Sequence, residues 1–247
     1  MRNAGLDSKG FSLFEVLLST SVFLLLYISS MAVFQSAKKQ NAIQRTEMET
    51  QTAAALSLDK IQMEASRAGL GLIQAIDQGL LNGIGTDGGG LTVHSAEFML
   101  QPPNDLFPGQ NWIALVNTSD FKKGWTICLL NEREGETKTL LRVEKDGLEL
   151  DSGLSHYYIK GKSTLIAVET LRFYLDDELD ILRRKVNASP AQPLCLEVNT
   201  FECDYDPLSN LLSLSLTMNK NKERMYERNF FPKNMAPHRI SAAGEKP

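Results

Sequence analysis

The sequence is poor in the residues that build common catalytic and metal centres. It has three histidines and three cysteines among 247 residues, and no histidine has a second His or Cys at the spacing of a metal-ligand motif. A GxSxG motif is missing, and no GK[ST] directly follows the TDGGG run at 86–90. We therefore expect that the protein is not an enzyme and holds no metal and no cofactor.

Positive charge is not in excess either. The chain has 26 Lys and Arg against 30 Asp and Glu, a formal net charge of -4 and a pI of about 5.5. Proteins that bind nucleic acid usually carry a strongly basic face, so we expect no nucleic-acid partner. The acidic run at 176–180 lacks the glycine-bearing loop of a calcium-binding EF-hand. We interpret it as the solvated tip of a hairpin.

Charge is absent altogether from residues 16–37. A mean hydropathy of -0.19 excludes several membrane spans but not one, and about 20 apolar residues cross the hydrocarbon core as a helix. A cleavable secretory signal has a shorter apolar core and a small-residue cleavage site, whereas this stretch continues into a polar segment without Pro or Gly. The pattern predicts a retained transmembrane helix at about 11–37, and the flanking charges leave its orientation open.

The helical pattern continues to about residue 68. Five apolar residues recur at steps of 4, 3, 4 and 3, which keeps them on one helix face: Ala54, Leu58, Ile61, Ala65 and Ala68. We expect this face to pack on the protein's own domain. Gly69 is the expected helix end.

The rest of the chain predicts a β-rich domain. We expect a flexible glycine-rich connection at 69–95, a globular domain of short strands at 96–235, and a polar tail at 236–247. The predicted fold class is α+β: a long N-terminal helix, half transmembrane and half amphipathic, packed on a mainly antiparallel β-sheet domain.

The cysteines favour free thiols. Cys195 and Cys203 lie in a segment with strand composition and no turn signal. As one extended strand it would hold them ~26 Å apart, far beyond the ~7 Å that a disulfide allows. Cys128 could pair with either, so a disulfide stays open, but buried free thiols are favoured.

The segment KGFSLFEVLLSTSVF, which begins at Lys9, resembles the class III signal of type IV pilins and type II secretion pseudopilins. In that family a leader ends in glycine, here Gly10, and the next residue, here Phe11, becomes the new N-terminus. The resemblance implies that prepilin peptidase removes residues 1–10 and N-methylates Phe11. It implies an assembly role for Glu15, whose carboxylate would pair with the α-amine of Phe11 on a neighbouring subunit. The alternative for Glu15 is an interfacial residue favoured by the helix dipole.

Later segments resemble the PilW-type minor pilins, which are close in plan to the J-type pseudopilins. These are residues 56–72, 167–206 and 212–231, the last with Arg228 and Asn229 like the Arg-Asn pair near the family's end. The span lacks the helix-kinking proline of many major pilins, and the C-terminal loop closed by two cysteines is missing. Both departures argue against a bulk structural subunit.

The resemblance implies a minor pilin, a non-catalytic subunit that primes assembly of a type IV pilus or sits at its tip. It implies other minor and major pilins, the inner-membrane assembly machinery and the membrane itself as partners. The implied location is the inner membrane, single-pass, with a cytoplasmic N-terminus and a periplasmic globular domain, and then the pilus or pseudopilus.

Two alternatives stay open. One is a J-type pseudopilin of a type II secretion system. The other belongs to a different class, a membrane-anchored binding module that never polymerises and keeps an uncleaved N-terminus. A secreted enzyme behind a signal peptide is disfavoured by the missing catalytic set and the unbroken helix.

Overall fold

The computed structural model describes residues 12–87, 89–218 and 224–235. Chain contacts divide the protein into two units, Met1–Thr52 and Ala53–Pro247. The predicted leader and the polar tail at 236–247 lie outside the described residues, as do Gly10 and Phe11.

The described part of the first unit, from residue 12 on, is a helical segment. It belongs to α1, Leu13–Ala65, whose 53 residues contain neither Gly nor Pro, so nothing in the sequence interrupts the helix. Residues 12–49 are exposed. An 18-residue window has a mean hydropathy of 2.1 and is 0% buried, so the helix is long and apolar enough to cross a membrane. A long apolar helix near the N-terminus is therefore confirmed, and that it crosses a membrane stays a prediction.

The second unit begins with the last three turns of α1. All five apolar residues of the predicted face, from Ala54 to Ala68, are at most 2% exposed, so the expected packing of this face on the β domain is confirmed. The α-helix ends at Ala65 rather than at residue 68, because the amides of Arg67 and Ala68 bond to carbonyls only three residues back. Gly69 follows with a φ of 73°, in the left-handed region that favours glycine.

The structure differs from the flexible connection predicted at 69–95. This stretch contains α2, Ile73–Asp77, and two strands, β1, Ile84–Asp87, and β2, Gly90–Leu100. Leu91 and Val93 alternate along β2 and are fully buried. The many glycines in this stretch favoured the prediction of a loop over that of a strand. Since β1 and β2 belong to the larger sheet, the β-rich domain starts before residue 96.

The strands confirm the predicted α+β class. Within the described residues nine strands form one sheet, whose main path runs β1-β2-β7-β4-β5-β6-β3 with β8 and β9 branching from β7, and β10-β11-β12 form a second sheet. All the pairs are antiparallel. The remaining strands are β3 Trp112–Ala114, β4 Thr126–Leu130, β5 Gly135–Glu144, β6 Gly147–Leu150, β7 Thr164–Asp176, β8 Ile181–Val186, β9 Gln192–Leu196, β10 Val198–Asp206, β11 Leu211–Met218 and β12 Arg224–Phe230.

The larger sheet forks along β7. One edge of β7 pairs with β2 along nearly its whole length, whereas the other edge pairs first with β4 and then with β8. At the fork, the Thr170 amide donates to Asn187 Oδ1 at 2.7 Å, and the Thr170 carbonyl accepts from the Asn187 amide at 2.7 Å. Asn187 takes a φ of 47°, which asparagine tolerates better than most residues. The side chain and the backbone N–H of one residue thus complete the β7 ladder between β4 and β8.

The fork separates two main cores. One lies between the end of α1, the β1-β2-β7-β8-β9 part of the larger sheet and the second sheet; Ile61, Phe173 and Leu214 are among its members. The other lies in the β4-β5-β6-β3 branch, around Tyr158 and Leu148. A small third cluster holds α2 against β4 and β7.

The acidic hairpin is confirmed. Asp176 ends β7 opposite Ile181 at the start of β8, and the Arg183 guanidinium lies 2.6 Å from the Asp176 carboxylate across the hairpin.

The cysteine segment is not one strand. β9 ends at Leu196, Glu197 takes a φ of 61°, and β10 starts at Val198. The assumption of one extended strand through Cys195 and Cys203 is therefore wrong. All three cysteines are nevertheless free thiols, with Cys128 and Cys195 buried.

The buried face of α1 leads to a stability prediction. Ile61→Ala should lower the free energy of unfolding by about 2–4 kcal/mol, because it opens a cavity between the helix and two sheets. Leu56→Ala, on the same helix but 63% exposed, should change it by less than ~0.5 kcal/mol. Urea unfolding of a chain that starts at Ala42 and so omits the apolar span would measure both. Equal effects of the two substitutions would mean that the helix is not part of the core.

Candidate functional site at the start of the apolar helix

Glu15 is the predicted site residue that the structure describes, and it lies in the first turn of α1. Ser12 precedes the helix, and its carbonyl accepts from the amides of Glu15 at 2.9 Å and Val16 at 3.2 Å. The Ser12 hydroxyl oxygen accepts from the Phe14 amide at 3.2 Å. In return, the Glu15 carboxylate accepts from the Ser12 amide at 3.0 Å. The two bonds make a capping box in which the Ser12 hydroxyl accepts from the second helical residue, Phe14, rather than from the third.

The capping box gives Glu15 a local structural task that the sequence reasoning missed. The signal was present as Ser-x-x-Glu directly before an apolar run. A carboxylate has about four acceptor positions, and the bond from Ser12 uses one of them. Capping the helix and accepting a proton donor from outside the chain are therefore compatible roles for Glu15.

Three hydroxyl side chains near the start of the span, those of Ser19, Thr20 and Ser21, are satisfied within the helix. Thr20 and Ser21 donate to carbonyls one turn back, Thr20 to Val16 at 2.9 Å and Ser21 to Leu17 at 2.7 Å. Ser19 also donates to Val16, at 3.0 Å. Because hydrocarbon offers no hydrogen-bond partners, such bonds let these residues lie in a span at low cost.

The remaining surface of this segment is apolar and exposed. Phe14 is 72% and Phe23 70% exposed, and Leu25, Val33 and Phe34 are similarly open. Contiguous apolar surface of this extent marks a membrane or protein contact. The segment therefore combines one carboxylate at its start with a long face suited to lipid or to other apolar helices.

Ion pairs fix the end of α1 within the second unit. Glu64, although buried, pairs with Lys60 at 2.8 Å and with Arg184 of β8 at 2.6 Å. Asp59 pairs with Arg228 of β12. The segments 56–72 and 212–231, which resemble the PilW-type minor pilins, are thus in direct contact through this ion pair.

A second charged cluster surrounds Glu136 in the β4-β5-β6-β3 branch. Its carboxylate lies 2.9 Å from the Lys138 ammonium and accepts from the Ser155 amide at 2.9 Å, the His156 amide and the Tyr158 hydroxyl at 3.1 Å. Burial raises the pKa of Glu136, but these donors outweigh burial and hold its pKa below the ordinary value. The cluster ties the 151–158 loop to β5, which is a structural task.

Metal chemistry gains no support. Among the residues that the structure describes, no group of three or more His, Cys, Asp or Glu side chains could hold a metal ion. The chain matches no known family model, and no curated protein is significantly similar to it.

The Glu136 cluster leads to a pH prediction. Its folded-state pKa is lowered, so the stabilisation is complete above the ordinary value of 4.5 and is lost as pH falls through the folded-state pKa. Glu136→Gln should cost about 1–3 kcal/mol at pH 7, and the difference from wild type should shrink towards pH 3. Denaturant unfolding at a series of pH values measures this. Exposed Glu132→Gln is the control, and an equally large, pH-dependent loss there would refute the assignment to Glu136.

Proposed function

We propose that the protein is a minor subunit of a type IV pilus, a non-catalytic protein that primes assembly or sits at the filament tip. A J-type pseudopilin of a type II secretion system is the close variant. The observation that carries the proposal is the position of Glu15: it lies in the first turn of an exposed apolar helix, five residues after Gly10 and directly before 22 residues without charge, 16–37. A carboxylate at the head of such a span is costly and is seldom retained without a role.

The helix would act twice in this function. It would first hold the subunit in the inner membrane, with the N-terminus cytoplasmic and the β domain periplasmic. It would then leave the lipid and pack against the helices of other minor and major pilins. Exposed apolar side chains suit both environments, since packed helices and lipid tails are similarly apolar.

Glu15 would set the register of that packing. Prepilin peptidase would cut after Gly10 and methylate the new terminus at Phe11. The Phe11 amine of one subunit would then meet the Glu15 carboxylate of the next. Only processed subunits carry that amine, so the pair would form only between mature proteins. Without its partner, a carboxylate buried among apolar helices would cost about 3–5 kcal/mol, enough to exclude wrong registers.

A membrane-anchored binding module that never polymerises is the second candidate. The capping box favours it, because the bond between Glu15 and Ser12 already explains a glutamate at this position. The two candidates differ in the fate of the N-terminus and in the need for the charge on Glu15.

The first experiment tests cleavage. Gly10→Val should leave residues 1–10 attached, because a branched side chain would enter a peptidase subsite that accepts glycine. Mass spectrometry of the protein from membranes should find full-length chain for this variant and a chain that starts at Phe11 for wild type. Gly5→Val places the same change earlier in the leader and should be cut normally. An uncut wild-type protein would support the non-polymerising module instead.

The second experiment separates charge from capping. Glu15→Gln keeps an acceptor for the Ser12 amide, since glutamine also serves in capping boxes, but it removes the charge. Ser12→Ala weakens the cap and keeps the charge. If Glu15 pairs with an amine, the Gln variant should be inserted and cleaved yet fall at least ~10-fold in sheared filaments, while Ser12→Ala should be incorporated.

Immunoblots of sheared filaments against membranes give the readout for both variants. Normal incorporation of Glu15→Gln would remove the pairing role. Loss of Ser12→Ala alone would leave capping as the function of the motif. Release of a co-expressed secretion substrate is measured in parallel. If release of that substrate depends on the protein and pilus assembly does not, the result favours the pseudopilin variant.

A further inference from the structure

A cation-lined groove lies on the β4-β5-β6-β3 branch of the larger sheet, at the opposite end of β5 from Glu136. It has a volume of about 530 Å³ and lies between the loop that joins β3 to β4 and the end of β5 with the following turn. Four basic side chains line it, Lys122, Lys123, Arg142 and Lys145, against a single acidic one, Glu144. Its volume is in the range of small-molecule sites, ~300–1,000 Å³.

The walls of the groove are fixed in place. The Thr118 hydroxyl donates to the Glu144 carbonyl at 2.6 Å and so ties the loop to β5. Phe121 is buried and packs edge-on against Phe98, with ring centroids 4.8 Å apart. The groove therefore exists before any ligand arrives.

The charges in the groove do not cancel. The Arg142 guanidinium lies 3.2 Å from the Glu144 carboxylate and 3.5 Å from that of Glu149 outside the lining, so the lining's acidic residue is already neutralised. The Lys122 ammonium is held 5.9 Å from the Trp125 ring centroid. The lining holds three more basic residues, Lys122, Lys123 and Lys145, in a chain whose net charge is -4. The flanking acid Asp120 accepts from the Ser119 hydroxyl at 3.3 Å and is not part of the lining.

We propose that this groove binds an oxyanion of the phosphate type with two or more negative charges. Lysine ammonium groups are compact point charges that bind phosphate without the fixed fork geometry of arginine. The same chemistry could reach the groove on a soluble phosphorylated compound or on a phospholipid headgroup. This inference is independent of the pilin proposal, because it depends only on the β-rich unit.

Titration of the full-length protein in an uncharged detergent with pyrophosphate tests the site. Ionic strength is held constant with chloride, since non-specific attraction is screened by salt. Wild type should show saturable binding. Lys123→Gln and Lys145→Gln should each weaken it at least about fivefold, because one pair of unit charges about 4 Å apart in water already corresponds to that factor and the anion carries two or more charges.

Two exposed lysines outside the groove provide matched controls. Lys162→Gln and Lys185→Gln make the same change in net charge and should leave the affinity within about twofold of wild type. Thermal unfolding of each variant confirms that the fold is intact. Absence of saturable binding, or equal loss in groove and control variants, would overturn the proposal.

Bilayers then distinguish the two sources of the anion. The full-length protein is placed in nanodiscs of phosphatidylcholine alone or with phosphatidic acid, whose phosphomonoester headgroup can carry two negative charges, and the pyrophosphate titration is repeated. If lipid headgroups fill the groove, phosphatidic acid should weaken pyrophosphate binding to wild type severalfold and leave the residual binding of Lys123→Gln unchanged. Equal affinity in both bilayers assigns the groove to a soluble phosphorylated compound.

Discussion

The burial of one face of α1 between two antiparallel sheets is the constraint on which the β-rich unit depends. Neither sheet closes into a barrel, so each must cover an apolar face with another element. Five apolar residues on one face of the stretch from Ala54 to Ala68 cover the sheets, and each is at most 2% exposed. Glu64 and Asp59 then fix the helix by ion pairs to β8 and β12. The same helix extends in the other direction as an apolar segment suited to a membrane.

The fork along β7 allows one sheet to serve two cores. Its β8-β9 branch and the second sheet enclose the helix, whereas its β4-β5-β6-β3 branch forms a separate core. Between β4 and β8 the edge of β7 has no strand partner, and unpaired backbone groups there would be costly. Asn187 hydrogen-bonds the backbone N–H and C=O of Thr170 at this point. The branch away from the helix carries the cation-lined groove, so anchoring and anion binding would use different parts of the protein.

Under the proposed function, the start of the helix would combine two roles that one carboxylate can hold. As a capping residue Glu15 stabilises the first turn whether or not the protein assembles. As a charge near the head of an apolar span it favours contact with a cationic group and opposes every apolar environment that lacks one. A subunit that must be stable alone in a membrane and selective in a filament would need both properties.

The features that follow from short-range periodicity could be predicted from the amino-acid sequence alone. The charge-free span, the helix face with steps of 4, 3, 4 and 3, the acidic hairpin and the α+β class all follow from backbone geometry over a few residues, and the structure has each of them. The capping box was equally local and could have been found. The tertiary structure decided what depends on distant residues. β2 replaces part of a predicted loop because its partner β7 lies far along the chain, and β1 pairs in turn with β2. β9 and β10 separate at Glu197, and the donors to Glu136 other than Lys138 come from 155–158. Such pairings depend on the packing of the whole domain, so they cannot be predicted from the pattern of a few neighbouring residues.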